Sequence, residues 1–276
     1  MLGTGTPNAD AERSGPAVAV VRSGTAYLVD AGPGIVRRAA AAARRHDVGA
    51  LEPSRLRIVF LTHLHSDHTL GLPDLILSPW TLERHEPLIV YGPSGTKAMV
   101  EHILAAYSED IRNRLDGLEP ANETGYKVTV HEIASPGRVY EDSVMTVEAF
   151  AVPHGDWAAG RSFGYRFISP DRTIVISGDT RASDAVVRAC AGCDVLLHDV
   201  YSADRFVTRP PAWQRYHARA HTSTAELATL ASRAAPKLLV LYHQLFWGTT
   251  DEALIQEMRR AGYAGRVLSA RDLELY

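Results

Sequence analysis

Apolar and polar positions along this chain alternate between a period of two and a period near 3.6. In "AVAVVRSGTAYLVDAG", residues 17–32, two apolar runs flank a Ser-Gly pair, which predicts two short strands around a tight turn. "GIVRRAAAAARRH" (34–46) is built from strong helix formers and predicts a helix. "RLRIVFLTH" (55–63) reads as a buried strand, and "PDLILSPWTLER" (73–84) as a helix with Pro73 near its start. "PLIVYGP" (87–93) predicts a strand and "SGTKAMVEHILAAYSEDIRNRL" (94–115) one long amphipathic helix. "KVTVHEI" (127–133) and "SVMTVEAFAVPH" (143–154) alternate like strands. "SFGYRFISPDRTIVISGDT" (162–180) predicts a hairpin turning at Ser169–Arg172. Helix and strand then alternate through "SDAVVRACAG", "DVLLHDVY", "STAELATLASRAA", "LLVLYHQ", "DEALIQEMRRA" and "RVLSA".

Strand meanders in two places, each followed by strand–helix units, point to two mixed sheets face to face with helices outside. The expected fold class is α/β, a four-layer αββα sandwich. No linker-like segment divides the chain, so residues 1–276 are read as a single domain. The one irregular insertion is "SADRFVTRPPAWQRYHARA", residues 202–220.

Composition narrows the picture modestly. With 46% hydrophobic residues the chain can bury a substantial core. A net charge of −3 lacks the basic excess usual for nucleic-acid binders. No apolar run is long enough to span a bilayer, so no membrane partner is expected. The abrupt opening "MLGTGTP" leaves room for a longer natural N-terminus with an export signal. Location is therefore cytoplasmic as written, or secreted or periplasmic with such a signal. Cys190 and Cys193, in "CAGC", lack the further thiolates of a zinc site and read as two small buried residues at a helix end, with no disulfide framework.

The chemistry concentrates in "LTHLHSDHTLGL", residues 61–72, where His63, His65, Asp67 and His68 follow directly on an apolar strand. Such a crowd of titratable groups is costly unless something pairs with it, and these are ligands for borderline and hard cations. Three further polar residues end apolar runs in the same way: His154, Asp179 and His243.

These residues carry a resemblance. With "LGTGTP", "YLVDAGPG", "LTHLHSDHTLGLPDL", "YGP", "ISGDT", "LLHD", "HTSTAELA" and "LYHQ" in order, the chain resembles the metallo-β-lactamase-fold hydrolases. It is most similar to the branch containing ribonuclease Z and arylsulfatase-like enzymes. The resemblance implies a dinuclear site, with His63, His65 and His154 on one ion, Asp67, His68 and His243 on the other, and Asp179 bridging. It implies two divalent ions, zinc first and Mn²⁺ or Fe²⁺ as alternatives, and attack by a metal-bridging hydroxide formed from a water that Asp67 orients or deprotonates. It also implies a pair, Asp199 with His221, that would protonate the leaving oxygen. Asp199 stands where that branch commonly has Glu.

Two features bias the expected substrate. Ribonuclease Z carries a long tRNA-gripping arm between the positions matching His154 and Asp179, and here that interval is short. Trp157, Trp213, Phe246 and Trp247 are candidates for an aromatic wall. The expectation is a hydrolase of phosphodiester or sulfate-ester bonds in small molecules, with nucleic acid unlikely as the main substrate and a homodimer compatible. The alternatives are a ribonuclease Z-like RNA 3′-processing endonuclease and, from another class, a diiron redox protein. His46, His85, His102, His131 and His217 are read as surface or helix residues, with His217, near the insertion, also a candidate to line the pocket, and His198 as a core residue or a partner of the site.

Overall fold

A computed structural model describes all residues, 1–276. The chain divides into two compact units: Met1–Ala134 with Asp272–Tyr276, and Ser135–Arg271. No helix is long and apolar enough to cross a membrane.

The first unit holds a five-stranded sheet in the order β1 (Val18–Arg22), β2 (Thr25–Val29), β3 (Ile58–Phe60), β4 (Leu88–Pro93) and β5 (Val128–Ile133). β1 and β2 form the expected hairpin, Arg22 opposite Thr25. Ser23 (φ 48°) and Gly24 (φ 79°) both take left-handed backbone, which matches the twist of the flanking strands. The remaining pairs are parallel. Helix α1 (Ile35–His46) buries Ile35, Val36, Ala39, Ala42 and Ala43, and carries Arg44, Arg45 and His46 at its negative dipole end. A four-residue helix, α2 (Ser66–Thr69), and α3 (Leu72–Thr81) follow β3, the latter with Pro73 in its first turn. The expected long helix is two, α4 (Thr96–Ala106) and α5 (Ser108–Asp116). Tyr107 (ψ 14°) breaks it, and Glu109 and Asp110 open α5 where acidic groups favour a fresh N-terminus. Asp272 returns to this unit, accepting from Thr4 N–H (2.9 Å) and Ser14 N–H (2.7 Å).

Arg84 is fully buried in the first unit. Its guanidinium donates to the carbonyls of Leu56 (3.0 Å), Leu75 (2.9 Å), Ile76 (2.7 Å) and Gly125 (2.8 Å). Burial pulls its pKa down to about 10, still charged at neutral pH. Arg84→Met should strand these carbonyls and destabilise the protein by about 3–5 kcal/mol, the range for breaking a buried charged network. Urea denaturation measures this; an unchanged midpoint and slope would show the network to be dispensable.

The second unit holds a seven-stranded sheet, ordered β12 (Val267–Ser269), β11 (Leu238–Leu245), β10 (Val195–Tyr201), β9 (Arg172–Ile176), β8 (Phe163–Ser169), β7 (Thr146–Ala151) and β6 (Gly137–Glu141). β9 to β12 are parallel neighbours and β6 to β9 antiparallel ones. β8 and β9 turn at Ser169–Arg172 as expected, whereas the edge strand β6 went unread because "GRVYE" is short and polar. The insertion also has regular structure, α7 (Ala203–Phe206) and α8 (Pro211–Ala220), the second opening on a proline in its first turn. Helices α6 (Asp184–Cys190), α9 (Thr224–Ala234) and α10 (Asp251–Arg260) pack Val186, Leu227, Leu254 and Met258 into one core with Leu196, Leu239 and Leu241 of the strands. α9 starts in a capping box, Ser223 and Glu226 each satisfying an N–H of the other's turn. Cys190 and Cys193 are buried as expected, but they form a disulfide, which corrects the reading of two unpaired residues. Two mixed sheets flanked by helices are thus present, as the pattern predicted.

Candidate metal centre

The first unit gathers its polar residues at the C-terminal ends of parallel strands, where backbone pairing stops and side chains become available. In the first unit Asp30 follows β2, and Thr62, His63 and His65 follow β3, with Val29 and Phe60 in register. The four residues of "H-x-H-x-D-H" are brought together. His63 Nε2 lies 2.9 Å from His65 Nδ1, and His68 Nε2 lies 3.5 Å from the Asp67 carboxylate. The His63 and His68 rings are 4.2 Å apart.

Asp30 organises this group, and sequence reasoning did not assign it a role. Its carboxylate accepts from Thr62 N–H (2.8 Å), the Thr62 hydroxyl (3.0 Å) and His68 Nδ1–H (2.8 Å). His63 Nδ1–H in turn donates to the Thr62 hydroxyl oxygen at 3.0 Å. Both imidazoles are therefore held in the tautomer that leaves a lone pair on Nε2. The signal was present: "YLVDAG" ends an apolar strand in Asp just as "RIVFLTH" ends one in His. Asp30 itself sits at φ 62°. Gly71 closes the same corner: a Cβ there would stand 2.3 Å from the Gly32 carbonyl oxygen, so only glycine fits. Asp67 also lines an open cleft of about 490 Å³ in this unit, bounded by Thr6–Ala11, Ser14, Pro33, Gly34 and Leu70.

In the second unit His154 follows β7, Asp179 follows β9, Asp199 sits in β10 and His243 in β11. His154, Asp179 and His221 each offer a ligand atom within 4.8 Å of the others. His243 Nε2 is 3.4 Å from Asp179. His154 Nδ1–H donates to the Ala220 carbonyl (2.7 Å), again leaving Nε2 as the lone pair. His243 is the extra residue of a β-bulge, since Asp199 pairs with Tyr242 and Val200 with Gln244. Its φ of 47° is left-handed, and such bulges re-aim a side chain that plain alternation would misplace.

Asp199 and His221 are paired as expected: His221 Nδ1–H donates to Asp199 at 3.0 Å. Both are buried. Burial alone would raise the Asp199 carboxyl, but hydrogen bonds to His198 and His221 outweigh it and hold its pKa below the ordinary value. His198, fully buried, is thus a partner of Asp199 (3.2 Å) rather than mere core. His217 lies on a helix, as read, but away from the surface. It is buried between Trp213 and Trp247 (5.6 and 4.8 Å), and burial, with repulsion from His221 and Arg209, holds its pKa at about 4. The expected aromatic wall is partly assembled: Trp213 and Trp247 meet at His217, Trp157 lies against Arg161 (5.8 Å), and Phe246 packs on the core.

The donor set fits a metal. Borderline divalent ions take neutral imidazole and carboxylate, and ligand histidines typically donate their other N–H to a carboxylate or carbonyl. His68 and His154 do so.

Fold and donors define a metal-dependent hydrolase. A family model described as "Beta-lactamase superfamily domain" matches residues 25–244, and the chain belongs to that superfamily. A ribonuclease Z from Mycobacterium sp. (strain KMS) is 34% identical over 247 residues, 89% of this chain and 83% of its own length. Among solved structures, the metallo-β-lactamase-fold protein YhfI from Bacillus subtilis is similar at TM-score 0.73 and 16% identity, with 98% and 95% of the two chains covered. The short form of human tRNase Z is similar at TM-score 0.71 and 22% identity, covering 99% and 95%. At these identities the two structures establish the fold.

The relative corrects one expectation. Nucleic acid was held unlikely as a substrate because the interval from His154 to Asp179 is short and the net charge acidic. A relative named for ribonuclease activity nonetheless shares 34% identity over most of both chains.

Proposed function

We propose that this chain is a metal-dependent endoribonuclease of the ribonuclease Z kind, hydrolysing a phosphodiester bond of RNA. The observation that carries the reading is the buried Asp199–His221 pair beside the donors His154 and Asp179. A ribose oxygen is a poor leaving group and needs a proton as it departs; an aryl ester does not. A histidine held by an ionised carboxylate next to the donor cluster supplies that proton. The 34% identical relative supports the same substrate class.

In this reading the chain acts as one hydrolase domain, with His63, His65 and His154 holding one divalent ion, Asp67, His68 and His243 a second, and Asp179 shared. Zinc is the proposed ion, given the imidazole-rich donors. When bound, such ions lower the pKa of water towards neutrality and neutralise charge developing on the phosphoryl oxygens. Asp67 orients the attacking water and accepts its proton. His221 holds a proton at Nε2 for the departing oxygen, and Asp199 fixes its tautomer through Nδ1. Asp30 and Thr62 hold His63 and His68 in place.

Protein purified without chelator should contain about two zinc ions per chain by elemental analysis. Loaded protein should cut a tRNA precursor with a 3′ trailer at one position. Hydrolysis of bis-p-nitrophenyl phosphate without any cut in RNA would sink the ribonuclease reading, and zinc near zero after reconstitution would sink the metal centre.

A further inference from the structure

Helix α8 of the insertion is tied at its C-terminal end to the His154 loop. His154 Nδ1–H donates to the Ala220 carbonyl (2.7 Å) and Gly155 N–H to the Arg219 carbonyl (3.0 Å). Inward-facing His217 and Ala220 are buried. Two large rings on the same helix are not: Trp213 is 51% exposed and Tyr216 39%. They lie 5.9 Å apart, edge to face. Tyr216 is 6.1 Å from the His221 ring, and Trp213 stacks on His217 at 5.6 Å. Aromatic surface therefore runs outward from the acid–base histidine into solvent.

The same segment is basic. Residues 203–220 carry Arg205, Arg209, Arg215 and Arg219 against one acid, Asp204, a net charge of +3 in a chain of −3 overall. Arg205 and Arg215 are exposed, Arg219 is exposed but paired with Asp156 (2.8 Å), and Asp204 is engaged by Arg260. Single exposed apolar residues are ordinary, but adjoining exposed rings among arginines match what a single nucleic-acid strand offers: flat bases on a phosphate chain.

We propose that α8 is a stacking platform for single-stranded RNA, with Trp213 and Tyr216 taking bases next to the scissile phosphate and Arg215 meeting the backbone. This rests on the ribonuclease reading and assigns that site's substrate contacts. Single-stranded RNA fits better than duplex, because base faces are available only when unstacked.

The test is anisotropy of a fluorescein-labelled single-stranded RNA, about twelve nucleotides long, with zinc-loaded full-length protein in the cold and RNA integrity checked on a gel. Trp213→Ala should weaken binding about tenfold, within the range for loss of one stacked base. Trp213→Tyr should restore most of the affinity, which a merely structural role would not require. Arg215→Ala should lower the salt slope by about 0.7, the value for one phosphate contact on a single strand. Arg138→Ala, removing an exposed arginine of β6, should leave Kd unchanged. Absence of binding by the unmodified protein, equal affinity for a duplex, or unchanged Kd in Trp213→Ala would each overturn the proposal. Cleavage separates the two ideas. Trp213-dependent binding without any cut keeps the platform and removes the ribonuclease, while cutting with undiminished affinity in Trp213→Ala does the reverse.

Discussion

Asp67→Ala should lower RNA cleavage on the order of 10⁴-fold while changing KM by much less. General-base removal alone accounts for about 10²–10⁴-fold. Asp67 is also a proposed ligand beside His68 (3.5 Å), so metal occupancy should fall as well. The loss should appear mainly in kcat, because the attacking water needs Asp67 most in the transition state. The fold should survive, since Asp67 borders an open cleft rather than the core. Steady-state kinetics with elemental analysis decide the matter. Near-normal turnover with both ions retained would remove Asp67 from the chemistry altogether.

His221→Ala should slow RNA cleavage by about 10²–10⁴-fold, the span for losing a general acid. Zinc content should stay level, because Asp199 already occupies Nδ1 and the proposed ligands do not include His221. The defect should shrink on bis-p-nitrophenyl phosphate, whose leaving group departs without a proton. Loss of an ion, or equal slowing of both substrates, would instead make His221 a ligand or an oxyanion stabiliser. Its place within 4.8 Å of donor atoms from His154 and Asp179 makes that a real contest. Asp199→Asn should show the same pattern more weakly, because the carboxylate acts only by fixing the histidine's tautomer. The pH behaviour follows from the sign of its shift. The folded pKa of Asp199 lies below the unfolded value, so its stabilisation is present above the ordinary carboxylate range and is lost as pH falls through the lower folded value. A fall in rate between about pH 5 and 7 therefore belongs to some other group than Asp199.

Much of this could be read without a structure, because it depends on neighbours in sequence. The hairpins at Ser23–Gly24 and Ser169–Arg172, the start of α9 at Ser223 and the helix over Ile35–His46 follow from local sterics, capping and propensity. His63, His65, Asp67 and His68 were legible because the period-two apolar run ends where they begin. His154, Asp179 and His243 were legible by repetition of that pattern. Short polar stretches gave weaker signals, so β6, the break at Tyr107 and the helices of 203–220 were missed or merged. The bonded state of Cys190 and Cys193 was misread, because two cysteines three apart look alike whether paired or not.

What only the tertiary structure decided lies in strand register and in contacts between residues far apart in sequence. Asp30 meets Thr62 and His68 because β2 and β3 pair in parallel with Val29 opposite Phe60; a one-residue slip would turn that carboxylate away. His243 reaches Asp179 through a bulge at φ 47°, which no alternation of apolar and polar residues encodes. His217 is buried and held neutral although its helix reads as polar. Asp272 bonds Thr4 from the far end of the chain. The sequence by itself determined which polar residues follow apolar runs, since that follows from period and turn chemistry. The fold decided which of them touch, since hydrogen bonds form only where register and bulges bring donors and acceptors within about 3 Å.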